Sequence, residues 1–366
     1  MNTKDITRRV RNIRTELGSR YIDALVLTKP ANVTYLTGFS GEDSWAVVTG
    51  RAVYLLTDSR YTEQAQKECL LARIVQRKDP IAEAGGKLLG KLKLAKTVAV
   101  EKSISLGEYD ALKKNTDARL KAVAGLVEAQ RSVKDAEETA AIRSAAAITA
   151  TAFQRAVRHV RPGITESELA GILDLEMRRQ GAKVGFETIV AFGPNASRPH
   201  HQPSPRKLAP RDTILIDFGA RYSGYCCDIT RSFAFGKPTA AYCRAYAVVE
   251  KAQAAAIRTA KAGAKLAEVD AAARNAIREG GLPVYGHGTG HGFGLEIHEI
   301  PFLKEGAKGN LTTGQIITIE PGVYLPGKLG VRIEDDLLIT EDGCEILTEA
   351  CPRKSPLGDR QGQRAL

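Results

Sequence analysis

Between positions 283 and 299 the chain reads PVYGHGTGHGFGLEIHE, which sets His287, His291 and His298 among Gly286, Gly288, Gly290, Gly292 and Gly294. Glycine at every second position removes Cβ atoms and opens backbone angles that other residues avoid. The segment can therefore press close to a metal, a substrate or a neighbouring strand. Three of the six histidines of the chain fall within the twelve residues 287–298. Imidazole ligates metals as a neutral ring and shuttles protons near neutral pH, and both uses require one fixed orientation. The competing reading is a glycine-rich surface loop with incidental histidines. That reading suits a lone histidine better than three at this spacing, but a metal site needs further ligands from elsewhere in the chain.

At 366 residues the chain exceeds the usual single core, which predicts two domains. With 43% hydrophobic and 26% charged residues it has the composition of a globular protein. The net charge of +11 raises the question of anionic partners, yet Lys and Arg are spread along the whole length without aromatic interleaving. The expectation is a basic surface and no nucleic-acid binding. Cys69, Cys226, Cys227, Cys243, Cys344 and Cys351 form no CxxC pair and no disulfide-like framework, which fits a reducing compartment. The first twenty residues read as a polar amphipathic helix, and no run of about eighteen apolar residues occurs anywhere. A cytoplasmic protein without a membrane partner is expected.

Residues 1 to about 130 alternate helix and strand. A helix over 3–17 leads to a strand at 24–28, and a hairpin-like pair ends near Thr57. A helix after Asp58, a strand near 72–75, a helix over 81–94 and a strand at 97–101 follow. This part holds no histidine, so it reads as a substrate-restricting or assembly domain. The second part opens with a long helix over 135–160, in which Ile142, Ala146, Thr149, Phe153, Val157 and Val160 form one stripe at helical spacing. Thr165 and Glu168 form a T-x-x-E capping box that opens a second helix running toward Gln180 and Gly181. Strands at 186–192, 213–219 and 225–235, helices at 240–262 and 266–280, and strands at 315–320 and 330–340 complete the order. Helix, helix, then strands, occurring twice, predicts a duplicated half.

Four acids recur at the ends of apolar runs. Asp217 closes 213–216, Asp228 opens the strand after the turn Tyr222-Ser223-Gly224, Glu320 ends 316–319, and Glu334 follows 331–333. A strand-end acid and another on its hairpin partner bring two carboxylates to one face, which is costly unless positive charge lies between them. Each acid singly reads as a solvent-facing strand end. All four in one context, with a glycine-framed histidine in the same half, predict a shared metal cluster. Four carboxylates and one imidazole are too negative for one divalent ion, whereas two ions about 3.5 to 4 Å apart would be offset. Hard oxygen donors with one imidazole suit Mn²⁺, Co²⁺, Fe²⁺ or Zn²⁺. The residues point to a dinuclear hydrolase.

The segments SRPHHQPS, ILIDFGARYSGYCCDITRSF, GHGTGHGFGLEIHEIP, TIEPGVY and GVRIEDD resemble, in that order, the metallopeptidases of the pita-bread fold, which include methionine aminopeptidase, Xaa-Pro aminopeptidase, prolidase and the metal-free creatinase. NVTYLTGFSG and LLTDSRYTEQA resemble the N-terminal domain of the Xaa-Pro branch. The resemblance implies an α+β chain: a creatinase/prolidase-like α/β domain over 1–130, a pita-bread catalytic domain over 131–352, and a basic tail over 353–366. It implies Asp217, Asp228, His291, Glu320 and Glu334 as ligands of two metal ions, Mn²⁺ first among them, with Asp228 and Glu334 bridging. All five ligand positions are filled, which argues against creatinase-type chemistry. His200 would lie near the scissile bond in preference to the adjacent His201, and His298 would serve the developing oxyanion. His287 would face the proline, and Arg332 would support the site as in the Xaa-Pro branch. A water held between the ions would attack the carbonyl, with Glu320 shuttling the proton.

The expected activity is that of an Xaa-Pro aminopeptidase acting on peptides with proline second, with a homodimer implied. The alternative is an Xaa-Pro dipeptidase. It is set second because the stretch Pro301-Phe302-Leu303-Lys304 lacks the arginine with which several relatives hold a substrate carboxylate, although Lys304 offers a charge there. A non-catalytic binding protein of the same fold is a third reading, opposed by the intact ligands.

Overall fold

A computed structural model describes residues 3–93 and 97–353, and the chain divides into two compact units, residues 1–131 and 132–366. Leu94, the expected end of one helix, and positions 354–366 of the basic tail lie outside the described residues.

The first unit is an α/β sandwich. Helix α1 (Thr3–Ser19) precedes β1 (Ala24–Leu27), α2 (Pro30–Thr37), β2 (Trp45–Thr49), β3 (Val53–Thr57), α3 (Thr62–Glu68), β4 (Ala72–Gln76), α4 (Ile81–Lys91), β5 (Thr97–Glu101), α5 (Leu106–Lys114), β6 (Arg119–Val123) and α6 (Leu126–Ser132). The strands form one sheet in the order β4-β3-β2-β1-β5-β6. Its central strand β1 is apolar throughout, and Trp45, Val47, Val98, Val100 and Leu112 pack into one core. Helix α2 occupies a stretch for which the sequence gives no helical expectation. The signal was present: Pro30 sits in its first turn, and Gly38 ends it at φ +81°. Glu101, at the end of β5, is buried and accepts the Thr28 and Lys29 N–H groups at 2.6 and 2.7 Å, which satisfies donors at the start of α2.

The second unit repeats one plan. Helix α7 (Ala136–Ala156) and helix α8 (Glu166–Arg179) are followed by the short β7 (Lys183–Val184), by β8 (Ile189–Phe192), β9 (Thr213–Phe218), β10 (Ala220–Tyr222), β11 (Tyr225–Cys226) and β12 (Ile229–Ala234). Helix α9 (Ala240–Thr259) and helix α10 (Leu266–Glu279) are followed by β13 (Gly290–Gly292), β14 (Glu299–Leu303), β15 (Ile316–Ile319), β16 (Gly322–Leu325), β17 (Leu329–Arg332), β18 (Asp335–Ile339) and β19 (Cys344–Ile346). The first helix pair goes with the antiparallel sheet β12-β9-β8, and the second with β14-β13-β15-β18-β19. Both helices of the first pair are capped as boxes. Asp135 accepts the Glu138 N–H at 3.0 Å, and Thr165 accepts the Glu168 N–H at 3.1 Å. The stripe of α7 is buried from Ile142 to Phe153, and Phe153 stacks on Phe218 of β9. The helix stops at Ala156, and a 3-10 turn at Val157–His159 takes the place of the last turn expected to run to 160.

Three expected strands differ. The strand at 186–192 begins only at Ile189. Those at 225–235 and 330–340 are each interrupted, at Cys227-Asp228 and at Ile333-Glu334. An unbroken apolar run does not reveal a break whose cause lies in the side chains that must leave the pleat. All six cysteines are free thiols. Among the described residues, no helix is long and apolar enough to cross a membrane.

Candidate metal centre

The two interruptions face each other. In the hairpin of β9 and β12, Asp217 pairs with Thr230, which places Asp228 diagonally across from it at the first break. Glu334, at the second break, donates its N–H to the Thr230 carbonyl at 3.2 Å, and its Oε2 accepts the Thr230 hydroxyl at 2.6 Å. The Asp228 N–H donates to Asp336 Oδ2 at 3.2 Å. Buried Arg231 donates to the Glu334 carbonyl and pairs with Asp335 at 2.8 Å, tying the two breaks together.

His291 sits in the middle of β13, and here the flanking glycines are required. A Cβ on Gly290 would lie 1.9 Å from the Thr318 carbonyl oxygen, and one on Gly292 would lie 2.3 Å from that of Ile300. Only a glycine-flanked strand can pack so closely between β14 and β15. The His291 N–H donates to Thr318 Oγ1 at 3.1 Å, and Nδ1 donates to the Gly292 carbonyl at 3.0 Å. That fixes Nε2 as the unprotonated nitrogen, and it points at Asp228 Oδ2 and Glu320 Oε1, 3.6 and 3.4 Å away. Glu320 follows β15 directly, with its N–H on the Thr289 carbonyl at 2.8 Å. Ligand atoms of Asp228, His291 and Glu334 all lie within 4.8 Å of one another.

The electrostatics describe a cluster that needs positive charge. Burial first, then Glu334, Asp217, Asp336 and Glu320, push the Asp228 carboxyl well above its usual range. Burial first, then Glu320 and Asp217, do the same to Glu334. Burial and Asp217 carry Glu320 up to about 8, against the pull of Arg332. Burial and the neighbouring His298 hold the His291 imidazole down, to about 4, which keeps it neutral and able to ligate. Asp217 Oδ1 and Glu334 Oε1 are buried oxygens without a hydrogen-bond partner. Hard oxygen donors, one neutral imidazole and two unsatisfied carboxylate oxygens fit divalent cations.

These residues line a cleft of about 270 Å³ that also takes in His200, His287, His298, Lys304 and Arg332. Phe186, Ile189, Ile297 and Phe302 supply apolar wall. Of the pair Pro199 precedes, His200 lines the cleft, whereas His201 is buried and bonds through Nε2 to Glu166 at 2.8 Å. The His298 ring stands edge-on to His291 at 4.5 Å. His287 donates from Nδ1 to the Gly288 carbonyl at 2.7 Å and accepts the Tyr324 hydroxyl at Nε2 at 3.0 Å. Burial and Arg332 push its pKa down to about 4. Arg332 is buried, pairs with Asp217, and donates to Tyr324 at 2.8 Å and to Thr230 at 3.0 Å. The structure thus brings every residue singled out in the sequence to one cleft. It adds Thr230 and Tyr324, which the sequence reading missed. Thr230 lies two residues after Asp228 and Tyr324 four after Glu320, so closeness in sequence to the chosen acids was the signal available.

A cleft that gathers buried carboxylates and a neutral imidazole, two of the acids at paired strand breaks, fits a metal-dependent hydrolase. Residues 140–341 match the metallopeptidase family M24, and residues 9–133 match the creatinase/prolidase N-terminal domain. The chain belongs to metallopeptidase family M24 and has its pita-bread fold, a family that works with divalent metal ions. It is 34% identical over 345 residues to the Xaa-Pro dipeptidase of Pyrococcus horikoshii, covering 93% of this chain and 97% of that one. Its fold superposes on an Xaa-Pro dipeptidase from Bacillus anthracis with a TM-score of 0.90 at 35% identity, covering 94% and 98% of the two chains. It superposes on an X-Pro aminopeptidase from Thermotoga maritima with a TM-score of 0.88 at 36% identity, with the same coverage.

Proposed function

We propose that the chain is an Xaa-Pro dipeptidase that holds two divalent ions through Asp217, Asp228, His291, Glu320 and Glu334. This reverses the order of the two activities expected from the sequence. The observation that carries it is the position of Lys304, an exposed ammonium on the wall of the same cleft as the metal-ligand cluster. A dipeptide ends in a carboxylate right after its proline, and a cation on the wall of the cleft answers that charge. The relatives named as Xaa-Pro dipeptidases in Pyrococcus horikoshii and Bacillus anthracis support the same reading.

Bound divalent cations supply Lewis acidity and an activated water in such a centre. The residues of the chain do the rest. Glu320 takes the proton of the attacking water and returns it to the departing proline nitrogen. His298 and His200 present ring N–H groups toward the developing oxyanion. Arg332 orients the Asp217 carboxylate through their ion pair. A tertiary amide before proline has no N–H to donate, so ring shape must be recognised, and His287 with the apolar wall at Phe186 and Phe302 provides a surface for it.

The Thermotoga maritima structure, titled as an aminopeptidase, keeps a second reading in view. Mn²⁺-loaded protein given Ala-Pro and Ala-Pro-Ala in parallel separates the two. The dipeptidase reading expects the dipeptide to be the better substrate. It also expects Lys304→Met to raise KM for Ala-Pro about tenfold or more, the loss of one charge-assisted contact, while leaving any turnover of Ala-Pro-Ala in place. Preferred cleavage of the tripeptide, insensitive to Lys304, would establish the aminopeptidase instead.

A further inference from the structure

Helix α10 carries a buried acid–arginine pair outside the candidate ligand set. Asp270 and Arg274 lie one turn apart, with Arg274 Nε on Asp270 Oδ2 at 2.7 Å. Among the described residues, their other side-chain hydrogen bonds go to the glycine-rich segment. Arg274 Nη1 donates to the Tyr285 carbonyl at 2.8 Å and Nη2 to the His287 carbonyl at 2.6 Å. Asp270 Oδ1 accepts the Thr289 hydroxyl at 2.7 Å, and that hydroxyl also meets the Tyr285 hydroxyl. The arginine further lies over the Tyr285 ring, 4.6 Å from its centroid. The dyad therefore grips residues 285, 287 and 289, the alternate positions leading into β13.

Two groups of the cleft are set by that grip. The His287 ring stacks on the gripped Tyr285 at 4.8 Å, and its Nδ1–H is held by the next carbonyl along the same segment. The Thr289 carbonyl accepts the Glu320 N–H at 2.8 Å, so the height of Thr289 fixes where Glu320 enters the cleft. A buried ion pair contributes little net stability compared with apolar residues of the same volume. What it adds here is direction, because a guanidinium can donate along three separate lines to a carboxylate and two carbonyls, which an ammonium cannot reproduce. We propose that Asp270 and Arg274 are positioning residues for peptide cleavage, orienting His287 directly and Glu320 through Thr289. The proposal rests on the placement of His287 and Glu320 in the reaction given above.

The test uses the full chain with Mn²⁺ and an Xaa-Pro peptide, and compares Arg274→Lys and Asp270→Asn with Val269→Ala. Val269 is buried on the same helix, next to Asp270, and its apolar side chain makes no hydrogen bond to the segment. Arg274→Lys is expected to lower kcat/KM about 10- to 100-fold, the usual cost of losing a residue that orients a ligand-bearing group. A rise in KM would reflect His287 and a fall in kcat Glu320, with bound Mn²⁺ unchanged. Val269→Ala is expected to lower the melting temperature by a similar amount without moving either constant. Equal kinetic losses in Val269→Ala and Arg274→Lys, or unaltered kinetics in Arg274→Lys, would overturn the proposal.

A second readout needs no turnover. In ¹⁵N-histidine spectra of the metal-free chain, assigned by His287→Gln, the His287 ring is expected as a single Nδ1–H tautomer that becomes averaged in Arg274→Lys. An unchanged tautomer in that variant overturns the positioning of His287. If the unaltered chain cleaves neither Xaa-Pro peptide, the activity assignment falls while these spectra still decide the role of the dyad.

Discussion

Asp217 Oδ1 and Glu334 Oε1 are carboxylate oxygens sealed from water with no donor in the described chain, and each unsatisfied buried acceptor opposes folding. The cost is heavier because burial and mutual repulsion act on Asp228, Glu334 and Glu320 together. Asp228→Asn is thus expected to leave the metal-free protein as stable as the parent or more so, and to abolish the rise in melting temperature that Mn²⁺ gives the parent. Thermal scans in chelator and in Mn²⁺ check both parts, and an undiminished Mn²⁺ shift in the variant would count against Asp228 as a ligand. Glu166 presents the opposite case. Burial alone would raise its pKa, but His201, Ser204, Asn195 and the Phe192 N–H together hold the carboxylate below its usual value. A depressed folded pKa gives stability that is complete above the unfolded value, near 4.5, and is lost as pH falls through the folded one. Glu166→Gln is expected to cost about 1 to 3 kcal/mol at pH 7 and progressively less toward pH 3, as read from denaturant unfolding across that range. At this scale the sequence was informative wherever a residue type is rare in its context, such as an acid ending an apolar run or a histidine between glycines. Thr230, Tyr324 and Arg231 gave no such signal, since threonine and tyrosine are ordinary strand formers and a buried arginine is indistinguishable from an exposed one in a basic chain.

The elements that carry the cleft are short and interrupted. Hydrophobic patterning finds the strands through Asp228 and Glu334 but runs straight over both breaks, because Ile229 and Ile333 keep the apolar rhythm on either side. Capping chemistry was easier to read: Thr165 and Glu168 mark a helix start in the sequence and make the reciprocal bonds in the structure. Helix α2 escaped notice because Asn-Val-Thr-Tyr-Leu-Thr is a strand-like composition, and only Pro30 and Gly38 at its ends oppose that. The close approach of β13 to its neighbours sets a limit that can be measured. Gly290→Ala places a methyl 1.9 Å from the Thr318 carbonyl oxygen, so β13 and β15 must separate. The expected outcome is a loss of at least about 1 to 3 kcal/mol, as for overpacking in a core, together with weakened Mn²⁺ binding by calorimetry. Gly286→Ala meets no atom within 4 Å and serves as the silent comparison.

The whole chain consists of two units with separate cores, and its single tryptophan, Trp45, is buried in the first, while every candidate ligand lies in the second. Tryptophan fluorescence therefore follows the unfolding of the N-terminal unit alone. Added Mn²⁺ is expected to raise the midpoint followed by loss of peptidase activity further than the one followed by Trp45 emission, and equal shifts would show that the two units melt together. The repeated helix-helix-sheet order was visible along the sequence, and the recurring acids with the family resemblance put Asp228 and Glu334 in one cluster; what left no local trace was the pair of strand breaks and the Thr230 contacts through which the two halves meet.

That separation bears on how the protein matures. Of the five candidate ligands, Asp217 and Asp228 are synthesised first, and Glu334 arrives only with the last strands of the domain. Because chains emerge N-terminus first, a nascent chain cannot offer the full set of donors until the strands around Glu334 have been made. Cation capture then belongs to the completed domain, and a ribosome stalled before Glu334 would hold a chain with its hairpin of paired acids still uncompensated.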